Sequence, residues 1–154
     1  MVGEDGAALV EFTILAPMVV VMSIYTMDFG LLFYNKMEVQ DAAQAGVQWA
    51  ITNRVSNSSD IQIAAQNATK NKITVNFCKK YSTSFQFCGC PSTTGVTHIS
   101  DGACPGGTTC PDGSTTGTYV CVSATPTTAY KSFIPFGLLS STPKLTAEST
   151  ARMQ

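Results

Sequence analysis

An uninterrupted apolar segment near the N-terminus constrains this chain more than any other feature of its sequence. Residues 7–27, AALVEFTILAPMVVVMSIYTM, include a single charged residue, Glu11. As an α-helix rising ~1.5 Å per residue, these 21 residues would cover the ~30 Å hydrocarbon core of a bilayer. A secretory signal peptide, the alternative, has a basic start and a small-residue cleavage site after its apolar run. Because the start here is MVGED and no such site follows, we predict a membrane-spanning helix.

The helical pattern continues beyond the membrane segment. The next residues, DFGLLFYNKMEVQDAAQAGVQWAITN, contain no proline and two glycines, so one helix over residues 7–53 is predicted. Asp28 is expected at the outer membrane boundary. Further on, Ala42, Gly46 and Ala50 recur at four-residue spacing and form a small-residue stripe that another backbone can approach closely. The stripe packs either on the chain's own globular domain alone or also on a neighbouring subunit.

Two residues inside the apolar segment are unusual there. A carboxylate such as Glu11 costs ~2.5–3.5 kcal/mol in hydrocarbon, so it either needs a cation nearby or reaches the headgroups. If the chain is cut after Gly6, the new α-ammonium of Ala7 and the Glu11 carboxylate could neutralise each other between neighbouring helices and disfavour other axial registers. Pro17 removes a backbone donor, so a kink or a loosened turn is expected, which neighbouring chains could accommodate.

The remainder of the chain predicts a small α+β head. Asp60 is the expected N-cap of a second helix, IQIAAQNATKN, after the SNSS loop. The period then changes to two, which predicts strands. The predicted strands cover residues 73–77, 85–87, 118–125 and 145–152. The fold class expected is therefore α+β, with a long stem helix packed on a small antiparallel sheet head over residues 54–154.

Six cysteines lie in the head and indicate an oxidising compartment. They are Cys78, Cys88, Cys90, Cys104, Cys110 and Cys121. Gaps of one and five residues do not match the paired spacing of structural zinc, so we predict three disulfides and no metal. Six cysteines allow 15 pairings, and only a Cys88–Cys90 bond is disfavoured, because residues two apart on a strand sit near the upper distance limit. Residues 91–117, rich in Gly, Pro, Ser and Thr, are read as a long loop, within a cystine-rich region over residues 88–121.

Composition and motifs argue against nucleic-acid binding and catalysis. The formal net charge is −1, so no basic field for nucleic acid is expected, and charged residues are 12% of the chain against ~25% in typical soluble domains. His98 is the one histidine, in a loop with no nucleophile motif beside it. Phosphate-loop, dinucleotide and histidine-pair metal motifs are absent from the sequence. We expect a protein that is no enzyme and needs no cofactor.

Both ends of the chain resemble a known family. The strings GAALVEFTILAPMVVVMSIYTMDFG and QDAAQAGVQWA, with the terminal SFIPFGLLSSTPKLTAESTARMQ, are similar to the TadE-like and TadG-like pilins of the Tad (tight adherence) branch of type IV pili. The resemblance implies a type IV pilin-like fold and a leader, residues 1–6, cut by a prepilin peptidase between Gly6 and Ala7. Glu11 would then be the fifth mature residue. The leader lacks Lys and Arg, so its cytoplasmic orientation follows from the resemblance alone.

Two functions are compatible with these features. The resemblance implies a minor or major pilin, held in the bacterial inner membrane and then assembled with itself or other pilins into an extracellular filament. Alternatively, the chain is a membrane-anchored or pilus-tip adhesin whose Cys/Thr/Gly-rich region, residues 88–121, binds a surface or receptor.

Overall fold

The computed structural model describes residues 4–54, 57–81, 83–131 and 145–153, with side chains from Leu9 onward. Within these ranges the chain forms two helices and five strands. In chain order these are α1 (Glu4–Asn53), α2 (Ser58–Asn67), β1 (Ile73–Phe77), β2 (Gln86–Ser92), β3 (Gly95–Asp101), β4 (Gly117–Pro126) and β5 (Ala147–Arg152). The architecture confirms the predicted α+β class: a long N-terminal helix, an antiparallel sheet and three disulfides.

Helix α1 is continuous for 50 residues and includes Pro17. In its apolar half, hydroxyl side chains donate to backbone carbonyls one turn earlier, Thr13 to Leu9 at 2.7 Å and Ser23 to Val19 at 2.8 Å. These bonds give each hydroxyl a hydrogen-bond acceptor within the helix, so it needs no water molecule as a partner. This suits a helix in an apolar environment. The helix ends at Asn53, where Arg54 adopts a positive φ of 50°, the left-handed conformation that often terminates helices.

Helix α2 starts earlier than the sequence predicted. Asn57 is the N-cap, with extended backbone and a side chain that accepts from the Ser59 amide. The predicted cap, Asp60, lies instead in the first turn, where its carboxylate accepts from the Asn57 side-chain amide at 2.9 Å. Both residue types cap helices well, and the structure uses the one that comes first in the chain. The helix ends at Asn67, before the predicted end at residue 71.

Strand β4 is the centre of the sheet. It pairs with β5 along one edge and with β1 and β2 successively along the other, and β3 pairs with the outer edge of β2. All these pairings are antiparallel. The side chains from Tyr119 to Val122 are all buried, which requires cover on both faces of the sheet because successive side chains point to opposite faces.

The predicted loop over residues 91–117 is partly wrong, because it contains a strand. Strand β2 extends to Ser92, a tight Thr93–Thr94 turn follows, and β3 returns antiparallel from Gly95. Gly95 has a φ of 138°, a conformation that L side chains rarely adopt. Most of β3 is exposed, so it lacks the apolar alternation by which a strand is recognised in a sequence.

The two faces of β4 pack on different clusters. Val120, Val122 and Ala124 belong to the main core, which includes the outer part of α1, α2 and β1. Tyr119 and Cys121 belong instead to a second cluster with Cys78 and Phe87. Since successive strand side chains point to opposite faces, α1 and α2 cover one face of the sheet and the aromatic cluster lies on the other.

Candidate functional site

The stem is divided into an uncovered part and a covered part. From Leu9 to Met37 the large apolar side chains of α1 are exposed, apart from the half-buried Leu32, whereas burial in the main core begins at Val39. The helix from Leu9 to Asn53 is long and apolar enough to cross a membrane, judged by length and composition. An uncovered apolar rod attached to a folded head requires lipid or protein around it, because so much apolar surface is unfavourable in water.

The predicted processing residues, and the two predicted assembly residues of the apolar segment, lie at the uncovered end. Gly6 and Ala7 are within the first turns of α1. Glu11 and Pro17 follow along the same helix, with both side chains exposed in the single chain. The structure therefore leaves Glu11 available to a neighbouring molecule. Its proposed pairing with a positive N-terminus stays a prediction, as does the cut after Gly6.

The small-residue stripe lies under the head. Ala42 and Ala50 are fully buried in the main core. A Cβ added to Gly46 would lie 3.2 Å from the Ala65 Cβ of α2 and 3.3 Å from a Val122 methyl of β4. In the single chain the stripe thus packs on the chain's own globular part, the first of the two arrangements considered. An added contact with another subunit stays a prediction.

Glu38 connects the stem to the loop between α2 and β1. Its carboxylate accepts from the Thr69 hydroxyl at 2.6 Å, from the amides of Lys70 and Asn71 at 3.0 and 3.2 Å, and from the Asn71 side chain. The Thr69 hydrogen bond is the largest cause of a lowered pKa of Glu38, and partial burial opposes it. No sequence pattern indicated this contact, since Glu38 looks like an ordinary polar residue on a helix.

Two further contacts hold the C-terminal part of the head along the stem. The Lys36 ammonium donates to the Thr146 carbonyl at 3.2 Å. Lower down, the Tyr130 hydroxyl lies 2.6 Å from a carboxylate oxygen of Asp28 and 2.9 Å from its backbone carbonyl. Burial, followed by the hydrogen bond to Asp28, raises the pKa of Tyr130 to about 12, so its hydroxyl stays protonated. Asp28, expected only as a membrane boundary, is therefore also where the head attaches.

The cysteines form the three disulfides predicted, and the structure supplies their pairing. Cys78–Cys121 joins the end of β1 to β4, with both residues buried. Cys88–Cys104 and Cys90–Cys110 attach residues 102–116, the excursion between β3 and β4, to β2. Cys88 and Cys90 do not bond each other, as expected. Within the excursion, Thr108 and Thr116 share hydrogen bonds, so this segment is also tied internally.

His98 lies on the exposed strand β3, not in the predicted loop. Its Nε2 is 3.0 Å from an Asp101 carboxylate oxygen, and its ring centroid is 5.9 Å from that of Phe87. Over the described part of the chain, His, Cys, Asp and Glu form no group of three or more that could hold a metal ion.

These features define a class of protein: an α+β, pilin-like chain with an apolar N-terminal stem and a disulfide-braced head. Comparison with protein families is consistent with this class. The family model described as TadE-like protein matches residues 6–48, which confirms the resemblance of the stem to TadE-like proteins. No curated protein and no solved structure matches the chain. The family match indicates a protein associated with a Tad pilus.

Proposed function

We propose that this chain is a structural subunit, a minor or major pilin, of a Tad-like type IV pilus. The observation that carries the proposal is the uncovered apolar stem from Leu9 to Met37, attached to a head with its own core. Lipid covers the apolar surface of such a stem in the inner membrane, and neighbouring stems cover it in a filament. The TadE-like match over residues 6–48 supports the same role.

The proposed pilin meets its partners in a defined order. A prepilin peptidase cuts between Gly6 and Ala7, and the inner membrane holds the mature stem as a single span. Other copies or other pilins then surround it in the extracellular pilus. Glu11 pairs with the positive N-terminus of a neighbour, and Pro17 gives the stem a locally adaptable turn. The role proposed requires no catalytic activity, no cofactor and no nucleic acid.

Substitution of Glu11 tests the assembly role. We expect Glu11→Ala to insert into the membrane normally, because it removes a charge from an apolar segment, but to reduce incorporation into filaments. Glu11→Asp, which keeps the charge on a shorter side chain, should retain more incorporation. Membrane fractionation measures insertion, and the amount of subunit in sheared pili measures assembly. Normal incorporation of the alanine variant would contradict the proposed charge pairing.

The adhesin role remains the second candidate, favoured by the excursion over residues 102–116. Two disulfides fix it to β2, and most of its side chains are exposed, which is an arrangement suited to presenting a recognition loop. Cells carrying a chain without this excursion, with Cys88 and Cys90 also replaced by Ala, should form pili under either role. Loss of adhesion with pili present would favour the adhesin, and unchanged adhesion would favour the stem subunit alone.

A further inference from the structure

The three disulfides of the head differ in how far solvent reaches them. In two of them both cysteines are buried, with at most 6% of each residue exposed; these are Cys78–Cys121 and Cys90–Cys110. The third bond is asymmetric, because Cys88 is fully buried whereas Cys104 is half-buried. Thiol–disulfide exchange requires a thiolate to reach one of the two sulfurs, so its rate depends on access. A thiol in solution therefore meets the Cys88–Cys104 bond first, at Cys104.

Cys104 lies in a short segment that has few other attachments. Residues 103–107, which we call the arm, include no helix or strand, and apart from Cys104 all of them are exposed. Within the described residues, one hydrogen bond joins the arm to the sheet, from the Cys104 amide to the Thr118 hydroxyl at 3.2 Å. A single neutral hydrogen bond is a weak attachment. The disulfide to Cys88 is thus what holds the arm on β2.

Glycines stand at both ends of the arm. Gly102 precedes it with a φ of 83°, and Gly107 ends it with a φ of 86°. In the part of the chain that the structure describes, no atom lies within 4 Å of a Cβ added to either glycine. Because glycine has no Cβ and these two have open space around them, their backbone dihedrals change at low cost. The arm can therefore rotate about its two ends once the disulfide is open.

The segments on both sides of the arm are held without that bond. Before the arm, the Gly102 amide donates to the Gln86 carbonyl of β2 at 3.0 Å. After it, Thr108 and Thr116 share two hydrogen bonds, and the other disulfide of the excursion attaches this part to β2. Opening of the bond at Cys104 therefore frees the arm alone.

We propose that the Cys88–Cys104 disulfide is a redox-sensitive switch: a small dithiol opens it before the other two bonds and releases the arm, while the rest of the head stays folded. A thiolate of the dithiol attacks the Cys104 sulfur, the bond to Cys88 breaks, and Cys88 leaves as a thiolate that takes up a proton. The second thiolate of the reagent then attacks its own sulfur bound to Cys104 and releases Cys104, which is protonated in turn. Both cysteines end reduced, and the dithiol ends as a cyclic disulfide. The switch depends on the head alone and is the same in a pilin and in an adhesin.

Timed reduction tests the order in which the bonds open. Full-length chain in detergent is treated with a low concentration of dithiothreitol, and samples taken at intervals are denatured in acid and alkylated with excess N-ethylmaleimide. Tandem mass spectrometry of the digested chain then identifies the labelled cysteines. We expect the label to appear at Cys88 and Cys104 about tenfold or more faster than at any of the other four cysteines. Earlier opening of Cys90–Cys110, or opening of all three bonds together, would overturn the proposal.

Alkylation of the folded chain tests whether the arm moves. Cys88 is fully buried in the oxidised head, so N-ethylmaleimide reaches its thiol only if the arm moves away from β2. We expect Cys88 to react in the partly reduced chain without denaturation, while near-UV circular dichroism shows that the head is still folded. A Cys88 thiol that reacts only after denaturation, or a head that unfolds as this bond opens, would contradict the switch.

Two double variants separate the arm from the rest of the excursion. The variant with Cys88→Ser and Cys104→Ser has a permanently free arm, so subtilisin should cut it there, as in partly reduced wild-type chain. Oxidised wild-type chain should resist cleavage at this segment. The variant with Cys90→Ser and Cys110→Ser is the matched control, in which the arm stays attached and uncut. Fragment masses, measured after full reduction, locate the cuts. Cleavage of the arm in both variants, or in neither the first variant nor the partly reduced wild type, would overturn the proposal.

Discussion

At the scale of single residues, polar side chains on both sides join the stem to the head. Glu38 has the most partners: four donors from residues 69–71 reach one carboxylate. Tyr130 and Lys36 bind the stem at separate heights. These directional contacts fix the rotation of the head about the stem. Apolar packing of small residues such as Ala42 would by itself allow more rotation.

Glu38→Gln is expected to lower the stability of the head. It should also make that stability fall less as the pH is lowered. Gln keeps one carbonyl acceptor but loses the charge that strengthens the bonds from Thr69 and Asn71, a loss of about 1 kcal/mol for this partly solvated group. Because the folded state lowers the pKa of Glu38, its stabilisation is complete above the ordinary value of 4.5 and is lost as the pH falls through the lowered pKa. Thermal unfolding of the chain in detergent, measured between pH 2.5 and 6, checks both effects.

The control for this substitution is Asp41→Asn on the same helix. Asp41 is exposed, so its replacement should leave the melting temperature unchanged. An equal loss of stability in both variants would mean that negative charge on α1, and not the Glu38 contact, is responsible.

At the scale of elements, α1 meets two different environments along its length. Its lower part has apolar residues on all sides, as expected in lipid, and its upper part has small residues on the side facing the head. The long helix was predictable because an apolar run without breakers is a strong local signal. Strand β3 was not, because its side chains are mostly exposed and its formation depends on pairing with β2.

Gly46→Leu is expected to destabilise the head by about 2 kcal/mol or more, since overpacking a tight contact forces neighbouring elements apart. The Ala65 and Val122 side chains already lie within 3.3 Å of an added Cβ at Gly46. Gly30→Leu is the matched control on the same helix, because no atom of the described residues lies within 4 Å of a Cβ added there, so the head should melt at the original temperature. Near-UV circular dichroism follows the loss of fixed packing around the aromatic side chains and disulfides of the head. Equal melting of the two variants would show that α1 does not pack on α2 and β4 through Gly46.

At the scale of the whole molecule, the stem and the head are stabilised by different means. The stem is one helix, stable in lipid through its own backbone hydrogen bonds. The head is a small domain whose modest apolar core is supplemented by three disulfides, and the longest of them, Cys78–Cys121, closes a loop with a sequence separation of 43 residues. Damage to the head should therefore leave the stem helical.

Replacing both Cys78 and Cys121 by Ala tests this division. Removal of a native disulfide from a small domain costs about 2–5 kcal/mol, so the head should unfold at a much lower temperature. Far-UV circular dichroism in detergent should still show the helical signal of the stem after the head has melted. The double variant of Cys90 and Cys110 should cost less, since that bond closes a shorter loop of 20-residue separation at the excursion. A single transition that removes stem and head signals together would contradict the division.

The sequence by itself determined the properties that depend on local composition. The apolar run of residues 7–27, the absence of breakers up to residue 53, and the crowding of six cysteines required a membrane-competent helix and a cystine-braced head. Only the tertiary structure decided the disulfide pairing, the course of β3, the contacts of Glu38 and Tyr130, and which face of the stem the head covers. Those features join residues far apart in the chain, such as Asp28 and Tyr130, and no local pattern encodes which distant partner a polar side chain or a thiol will meet.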